Sequence, residues 1–181
     1  MFPGCALRAA RHLPLVISLS LCATHAFADD TIAFKGSIMA QTCQVTTRDQ
    51  VVTLPTVQVQ TLSAAGDTAG QTGFAIQLTG CSHGDGYPKN VAAAFASTWM
   101  DGITGNLLTN AEGATGAANV EYQLLNADGT PIWVNDPTTS KGSVIDVNGN
   151  ATLRYLVQYY VTGPAGKGST GAKATFTLTY Q

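Results

Sequence analysis

The stretch of sequence closest to a known binding motif is GKGSTG, residues 166–171. It matches the glycine spacing G-x-G-x-x-G of dinucleotide-binding proteins, in which a strand precedes the motif and a helix follows it. Here the residues that follow alternate between apolar and polar types, as in a strand. A phosphate-binding P-loop is excluded as well, because Gly168 follows Lys167 where Ser or Thr is required. We predict a flexible loop between two strands.

General acid–base catalysis would have to use His83, which lies near Asp85 in the sequence CSHGDGYP. The glycines around it predict a loop, so we expect a solvated histidine rather than one beside a nucleophile. One histidine and two cysteines beyond residue 28 are too few ligands for a zinc site. The sequence therefore predicts no enzyme, no metal site, no cofactor and no small-molecule substrate, and a hydrolase that uses His83 remains an alternative.

The acidic residues are scattered singly along the chain. No carboxylate pair for glycoside hydrolysis is therefore evident locally, although two distant strands could still bring one together. Trp99 and Trp133 could line a sugar-binding site. Both lie on or next to apolar strands, so we expect their rings to pack in the core instead.

The first 28 residues have the three-part pattern of a secretory signal peptide. Arg8 and Arg11 are positive, residues 13–23 are apolar, and residues 26–28 (Ala-Phe-Ala) carry small residues at the two positions that signal peptidase reads. The apolar run is too short for a membrane-spanning helix. Lipid attachment at Cys22 is disfavoured because a bulky leucine precedes it. We predict cleavage after residue 28 and export of the rest.

Cys43 and Cys81 are the two cysteines that remain after cleavage. An even number of cysteines in an exported chain predicts a disulfide bond. Closing this loop would stabilise the fold by roughly 4 kcal/mol on a chain-entropy estimate. Two free thiols or a metal pair are the alternatives, but the C-x-x-C spacing and partner histidines are missing.

The exported chain carries seven Lys and Arg against eleven Asp and Glu. Affinity for nucleic acid comes mainly from Lys and Arg on phosphates, so this mildly acidic chain is not expected to bind nucleic acid. Residues 29–181 are enough for one domain with its own core. We predict a single folded domain over residues 41–181, preceded by an extension over residues 29–40.

Short strands with turn signals between them are predicted along this domain, at residues 51–55, 73–81, 90–98, 119–126, 131–134, 151–161 and 172–181. ADGTP, residues 127–131, is a hairpin turn signal between two of them. No segment has a helical period with caps. The pattern is typical of an all-β sandwich of immunoglobulin type, with a closed barrel as the alternative.

The extension itself has strand patterning, because Ile32, Phe34, Gly36 and Ile38 fall on one face of TIAFKGSIMA, residues 31–40. An end of a chain is usually loose, so this regularity predicts a role. If the domain lacks one strand, its core opens as a groove, and the extension of a neighbouring molecule could fill it by strand addition. Gly36 would then face a pocket too shallow for any side chain.

The last strand is where such a groove would open. Every second residue of ATFTLTYQ is mostly apolar, and the residues between them are threonines. The apolar set is Ala174, Phe176, Leu178 and Tyr180. A strand that ends the chain leaves an edge, and an unpaired edge above apolar residues favours association.

The chain resembles the pilins of the chaperone–usher pathway, and the type 1 major fimbrial subunits most closely. The resemblance rests on FKG (residues 34–36) shortly before Cys43, on the spacing to Cys81, and on NVEYQLLNADGTPI, LVQYYVTG and ATFTLTYQ in that order. Penultimate Tyr180 and Gly168, fourteenth from the end, match the C-terminal assembly signature of the family. The resemblance covers essentially the whole exported chain.

The resemblance implies an incomplete immunoglobulin-like fold that lacks its last strand. A periplasmic chaperone would first lend a strand along the C-terminal strand, and at an outer-membrane usher the extension of the next subunit would replace it. Residues Asp29–Ala40 would be the donor strand, and residues 171–181 together with Gly168 would form the acceptor edge and chaperone contact. The protein would be a shaft subunit of a surface fimbria, exported through the periplasm to support adhesion, without a cofactor. A minor adaptor or tip-associated adhesive subunit is the alternative.

Overall fold

A computed structural model describes residues 43–109 and 116–181 of the chain. The predicted signal peptide, residues 1–28, and the predicted donor strand, residues 29–40 with Ile32, Phe34, Gly36 and Ile38, lie outside the described residues. The described residues all fall within the predicted domain, residues 41–181.

The described part of the chain contains nine strands and two single 3-10 turns. The strands are β1 (Gln44–Val45), β2 (Thr68–Thr79), β3 (Asn90–Ala96), β4 (Leu107–Leu108), β5 (Val120–Asn126), β6 (Pro131–Ile132), β7 (Ser143–Val144), β8 (Ala151–Val161) and β9 (Thr175–Tyr180). The 3-10 turns span Val59–Thr61 and Pro137–Thr139.

These strands form two sheets, and all strand pairs within them are antiparallel. The larger sheet has the order β1-β2-β8-β5-β4, with β6 also paired to β5, and the smaller sheet has the order β7-β3-β9. The long β2–β8 ladder sets Phe74 opposite Tyr155. The architecture is an all-β sandwich, as the strand spacing predicted.

Alternating residues of both sheets form the core between them. Ile76 and Leu153 come from the larger sheet and Val91 from the smaller one, and each is at most 3% exposed. The ring of Phe95 on β3 packs edge-on against Tyr155 on β8, with centroids 5.0 Å apart. Burial of these aromatic and aliphatic side chains is the main stabilising term of the fold.

The buried hydroxyl of Tyr155 joins the two sheets. It accepts a hydrogen bond from the Ala93 N–H at 3.0 Å and lies 3.0 Å from the Lys141 carbonyl oxygen, to which it donates. The Ser140 hydroxyl also reaches it, at 3.3 Å. A buried hydroxyl without partners would be destabilising, and these contacts satisfy it.

Six of the seven predicted strands are confirmed, and β8 spans the predicted range. The strand predicted at residues 51–55 is wrong, because residues 51–58 pair with no strand. Its alternation is nevertheless real, since Val52 and Leu54 are half-buried against the core while their neighbours are exposed. The alternation shows which side chains face the core, but it does not show whether the backbone pairs with another strand, and here it pairs with no described strand.

The expectation that Trp99 and Trp133 pack in the core is also wrong, because they are 54% and 42% exposed. Each follows a strand rather than lying within it, so neither is held on the inner face. Trp133 lies across Gly105, where an added Cβ atom would come within 2.3 Å of the indole ring. The ring therefore covers a loop backbone instead of the core.

Candidate functional site

The disulfide bond between Cys43 and Cys81 is present, as predicted, and joins residues 38 positions apart. Cys81 is buried, and its N–H donates to the Gly149 carbonyl at 2.9 Å. Directly after Cys43, strand β1 pairs with the end of β2, with Gln44 opposite Thr79. The bond therefore fixes the beginning of the described chain on the larger sheet.

Strand β9 forms an edge of the smaller sheet among the described residues, because it pairs with β3 and with no other described strand. Gln181 and Asn90 exchange both of their backbone hydrogen bonds, each at 2.9 Å. In an antiparallel ladder such pairs recur at every second residue, so the backbone groups of the β9 threonines point toward β3. The backbone N–H and C=O groups of Phe176, Leu178 and Tyr180 consequently point to the free edge.

The same three residues direct their side chains to the core. Phe176, Leu178 and Tyr180 pack against the main core cluster, yet all three are only half-buried. Their partners on β3 are covered, since Phe95, opposite Phe176, is only 7% exposed and Val91, opposite Tyr180, is 0% exposed. The core is therefore open beside β9 and closed beside β3.

The segment of residues 51–58, between β1 and β2, lies partly on the same core cluster. Val52 and Leu54 contact it, and the Gln50 side-chain amide donates to the Ala75 carbonyl of β2 at 2.7 Å, which holds the start of the segment near the larger sheet. The segment pairs with no described strand. One apolar core is thus contacted both by this segment and by β9.

An edge of this kind binds an extended chain. Free N–H and C=O groups along β9 can form a new ladder, and the opening below them can take every second side chain of the added strand. Strand edges that expose apolar side chains associate unless they are covered. The candidate site is therefore a binding edge, formed by Phe176, Leu178 and Tyr180.

Two other residues of the predicted site lie away from this edge. Ala174 precedes β9 and is exposed, so the inward alternation begins at Phe176. Gly168 lies in the GKGSTG segment, which is a loop between β8 and β9, as predicted. The loop is not freely solvated, because the Gly166 N–H donates to the Ala118 carbonyl at 2.9 Å.

His83 is exposed in the loop after β2, as predicted, and its Nδ1 atom lies 3.0 Å from the Cys81 carbonyl oxygen. Within residues 43–109 and 116–181, no group of three or more His, Cys, Asp and Glu side chains could hold a metal ion. In the same residues, no helix has the length and apolar character to cross a membrane.

One buried carboxylate was missed by the sequence analysis. Glu121 on β5 is only 3% exposed, and its Oε2 atom accepts hydrogen bonds from the Thr104 hydroxyl at 2.7 Å and the Asn106 amide at 3.0 Å. These bonds hold the loop between β3 and β4 on the face of β5. The sequence around Glu121 did not indicate that this carboxylate is buried, because it lies between two apolar residues and the loop that covers it is distant in sequence.

A family model described as fimbrial protein matches residues 32–181 of this chain. The chain belongs to the fimbrial protein family. The match includes the strand β9 and most of the extension that the sequence analysis assigned to strand addition, and the family is one of structural proteins.

Relatives of this fimbrial protein include major and minor subunits. It is 39% identical to the F17 fimbrial protein of Escherichia coli, over 93% of this chain and 96% of the relative. It is 37% identical to the major fimbrial subunit SMF-1 of Stenotrophomonas maltophilia strain K279a, over 84% and 93% respectively. The minor fimbrial subunit HifD of Haemophilus influenzae is 35% identical over 84% of this chain and 74% of the relative.

Solved structures support the same fold for this fimbrial protein. An antigen and type I fimbria protein of Burkholderia pseudomallei superposes with a TM-score of 0.56 at 29% identity, over 76% of this chain and 88% of that one. The P pilus rod subunit PapA gives 0.56 at 24% identity, over 77% and 99%. The sandwich is therefore the incomplete immunoglobulin-like fold of the pilins.

Proposed function

We propose that this structural subunit of a surface fimbria polymerises by strand addition, in which residues Asp29–Ala40 of one copy complete the core of the next. The observation that carries the proposal is the geometry of β9. Phe176, Leu178 and Tyr180 present their backbone groups to a free edge and their side chains to an open core. A strand added there would satisfy both at once.

The donor segment fits this edge in length and pattern. Twelve extended residues span about 40 Å, whereas the six residues of β9 span about 20 Å, so the segment can cover the whole edge. Ile32, Phe34 and Ile38 would enter the opening beside β9. Three such side chains contribute on the order of 5–9 kcal/mol in gross burial before the cost of ordering the segment is subtracted.

The disulfide bond supports a donation between copies. It anchors Cys43 at the β1–β2 end of the larger sheet, so a donated N-terminal segment would have to precede Cys43 in the sequence. A head-to-tail contact that does not close on itself gives a filament. The link would be non-covalent, and its persistence would come from slow unfolding of the completed domain.

The same edge is the natural place for a chaperone before assembly. An uncovered apolar edge is prone to aggregation, so a periplasmic chaperone would have to cover β9 until the next subunit replaces it at an outer-membrane usher. Export through the periplasm follows from the predicted signal peptide. The exchange needs no cofactor, since completion of the core supplies the driving force.

Deletion of Asp29–Ala40 separates donation from acceptance. The shortened chain keeps β9, so it should still bind chaperone and still bind a synthetic peptide of residues 29–40. It should fail to extend a filament, which negative-stain microscopy of expressing cells would show. Normal filaments from the deleted chain would rule out donation by this segment.

Gly36 offers a sharper test within the same segment. The peptide with Gly36→Leu should bind the subunit much more weakly than the native peptide, if a shallow pocket faces this position. The peptide with Lys35→Leu is the matched control, because residue 35 lies on the opposite face of the strand. Equal loss for both peptides, or for neither, would contradict the assignment of Gly36.

A minor adaptor subunit is the second candidate, favoured by the similarity to HifD, a minor subunit of its own fimbria. The two roles differ in position along the filament. Immunogold labelling should decorate the whole length for a shaft subunit and only the tip for an adaptor.

A further inference from the structure

The loop between β8 and β9 is docked on residues 116–119 by backbone hydrogen bonds. The Ala117 N–H donates to the Ser169 carbonyl at 3.0 Å, and the Gly166 N–H donates to the Ala118 carbonyl at 2.9 Å. Gly116 and Ser169 form a parallel bridge. The loop therefore runs beside this segment as an added short strand would.

Contacts at the end of the loop continue this docking up to the start of β9. The Gly171 N–H donates to the Thr109 carbonyl at 3.1 Å, and the Tyr122 and Thr170 hydroxyls are 2.7 Å apart. Burial raises the pKa of Tyr122. Strand β9 begins four residues after Gly171, at Thr175, so the docked loop sets where β9 enters the sheet.

Gly168 lies too close to the docked backbone to carry a side chain, and Gly166 has little room for one. A Cβ atom on Gly168 would lie 2.6 Å from the Ala117 nitrogen and 2.8 Å from the Gly116 carbonyl carbon. Both neighbours are backbone atoms, which cannot rotate away. A Cβ atom on Gly166 would lie 3.0 Å from both the Cβ atom and the nitrogen of Ala118, so a smaller shift would accommodate it.

The remaining glycines of the loop complete a graded series. A Cβ atom on Gly163 would meet only the side-chain amide of Asn119, at 3.4 Å, which is ordinary contact. A Cβ atom on Gly171 would have no atom of the described residues within 4 Å. The space available for a methyl group thus rises in the order Gly168, Gly166, Gly163 and Gly171.

We propose that Gly168 is a positioning residue of the binding edge: its missing side chain lets the loop dock on residues 116–117 and thereby fixes β9. Gly168 acts within its own subunit and touches neither donor strand nor chaperone. The inference rests on the proposed function in that it takes β9 as a binding edge, whereas the docking of the loop is a property of the subunit itself.

Four alanine variants of the full chain test the proposal by amide hydrogen exchange. Gly168→Ala should raise exchange at the Ala117 and Gly171 amides at least about tenfold, which corresponds to about 1.4 kcal/mol of local opening free energy. Gly166→Ala should raise it less, Gly163→Ala should leave it unchanged, and Gly171→Ala, in which residue 171 itself is altered, should leave exchange at Ala117 unchanged. Amides of the β2–β8 ladder should not change in any variant, which separates local undocking from general destabilisation.

Binding of a synthetic peptide of residues 29–40 is the second measurement on the same variants. Its dissociation should become faster in the order of the exchange effects, since an undocked loop leaves β9 misplaced. Weaker binding by Gly168→Ala with unaltered exchange at Ala117 would overturn the proposal, because the glycine would then contact the partner directly. Exchange at the Ala117 amide in Gly168→Ala that equals the exchange in Gly171→Ala would overturn the proposal as well.

Two further outcomes remain decisive. If Gly168→Ala does not fold, Gly166→Ala carries the test, because its smaller overlap should give the same local pattern. If the unaltered chain does not bind the peptide, the proposed function fails, while exchange at Ala117 and Gly171 still decides the role of Gly168.

Discussion

Phe95 and Phe176 lie opposite each other on β3 and β9, with ring centroids 6.3 Å apart, yet only one of them is covered. Phe95 is 7% exposed, whereas Phe176 is half-buried. Strand β3 has a described neighbour on each side, β7 and β9, whereas β9 has a described neighbour only on the side of β3. The difference between these two rings marks the side of the core on which a strand is missing.

Truncation of Phe176 should weaken strand addition as well as the fold, because its ring already packs against Phe95 and the core. Phe176→Ala also removes the part of the ring that is still exposed and that the donor strand would bury, so we expect a loss of about 1 kcal/mol in affinity for the peptide of residues 29–40, less than the roughly 1.5–3 kcal/mol of a fully buried phenylalanine. Thr177→Ala, on the exposed face of the same strand, is the matched control. Isothermal titration measures both, and equal affinities for the two variants would contradict the placement of the opening.

Removal of the Tyr155 hydroxyl should destabilise the sandwich. Tyr155→Phe leaves the buried Ala93 N–H and the Lys141 carbonyl without this partner, at a cost of about 1–3 kcal/mol in the free energy of unfolding. Denaturant unfolding of the chain with bound peptide checks this. Tyr160→Phe, on the opposite face of β8, should cost clearly less; an equal loss would argue against the bridging role.

Loss of the disulfide bond should lower stability by roughly 4 kcal/mol on the chain-entropy estimate. The change is Cys43→Ser with Cys81→Ser, and thermal unfolding with and without reductant measures it. Reductant should lower the midpoint of the unaltered chain to that of the double variant and leave the variant unaffected. A midpoint that reductant does not move would contradict a stabilising role of the bond.

The turn between β5 and β6 predicts a specific pH dependence. Hydrogen bonds from the Lys141 side chain and from Thr130 hold the pKa of Asp128 well below its usual range. Because the pKa is lower in the folded state, the stabilisation is complete above the unfolded pKa of about 4 and is lost as the pH falls below it. The free energy of unfolding of the unaltered chain should fall more steeply in this acid range than that of Asp128→Asn or Lys141→Met. Parallel curves would contradict the prediction.

The sequence predicted the long strands well because their alternation is local. β8 is fully specified by ATLRYLVQYYV, and the inward residues Ile76 and Leu78 of β2 were identified by parity alone. The two-residue strands β1, β4 and β7 were not predicted, since their pairing depends on partners distant in sequence. Residues 51–55 were assigned to a strand because an alternating face does not show whether the backbone has a partner.

Part of the candidate site could be predicted from the sequence as well, because the alternation of its residues is local. Parity placed Phe176, Leu178 and Tyr180 on one face, but only the exchange of hydrogen bonds between Gln181 and Asn90 shows which backbone groups point outward. The close approach of Gly168 to residues 116–117 depends on loop docking, which no local pattern encodes. The burial of Glu121 and the exposure of both tryptophans depend on loops in the same way.

Hydrogen exchange along β9 tests the central claim most directly. In the chain lacking residues 29–40, the amides of Thr177 and Thr179 should be protected by β3, while those of Phe176, Leu178 and Tyr180 should exchange freely. Addition of the peptide of residues 29–40 should protect the second set and leave the first unchanged, because the new ladder uses the outward groups. Protection of Phe176, Leu178 and Tyr180 before the peptide is added, or no change after it, would contradict a free edge that accepts a donor strand.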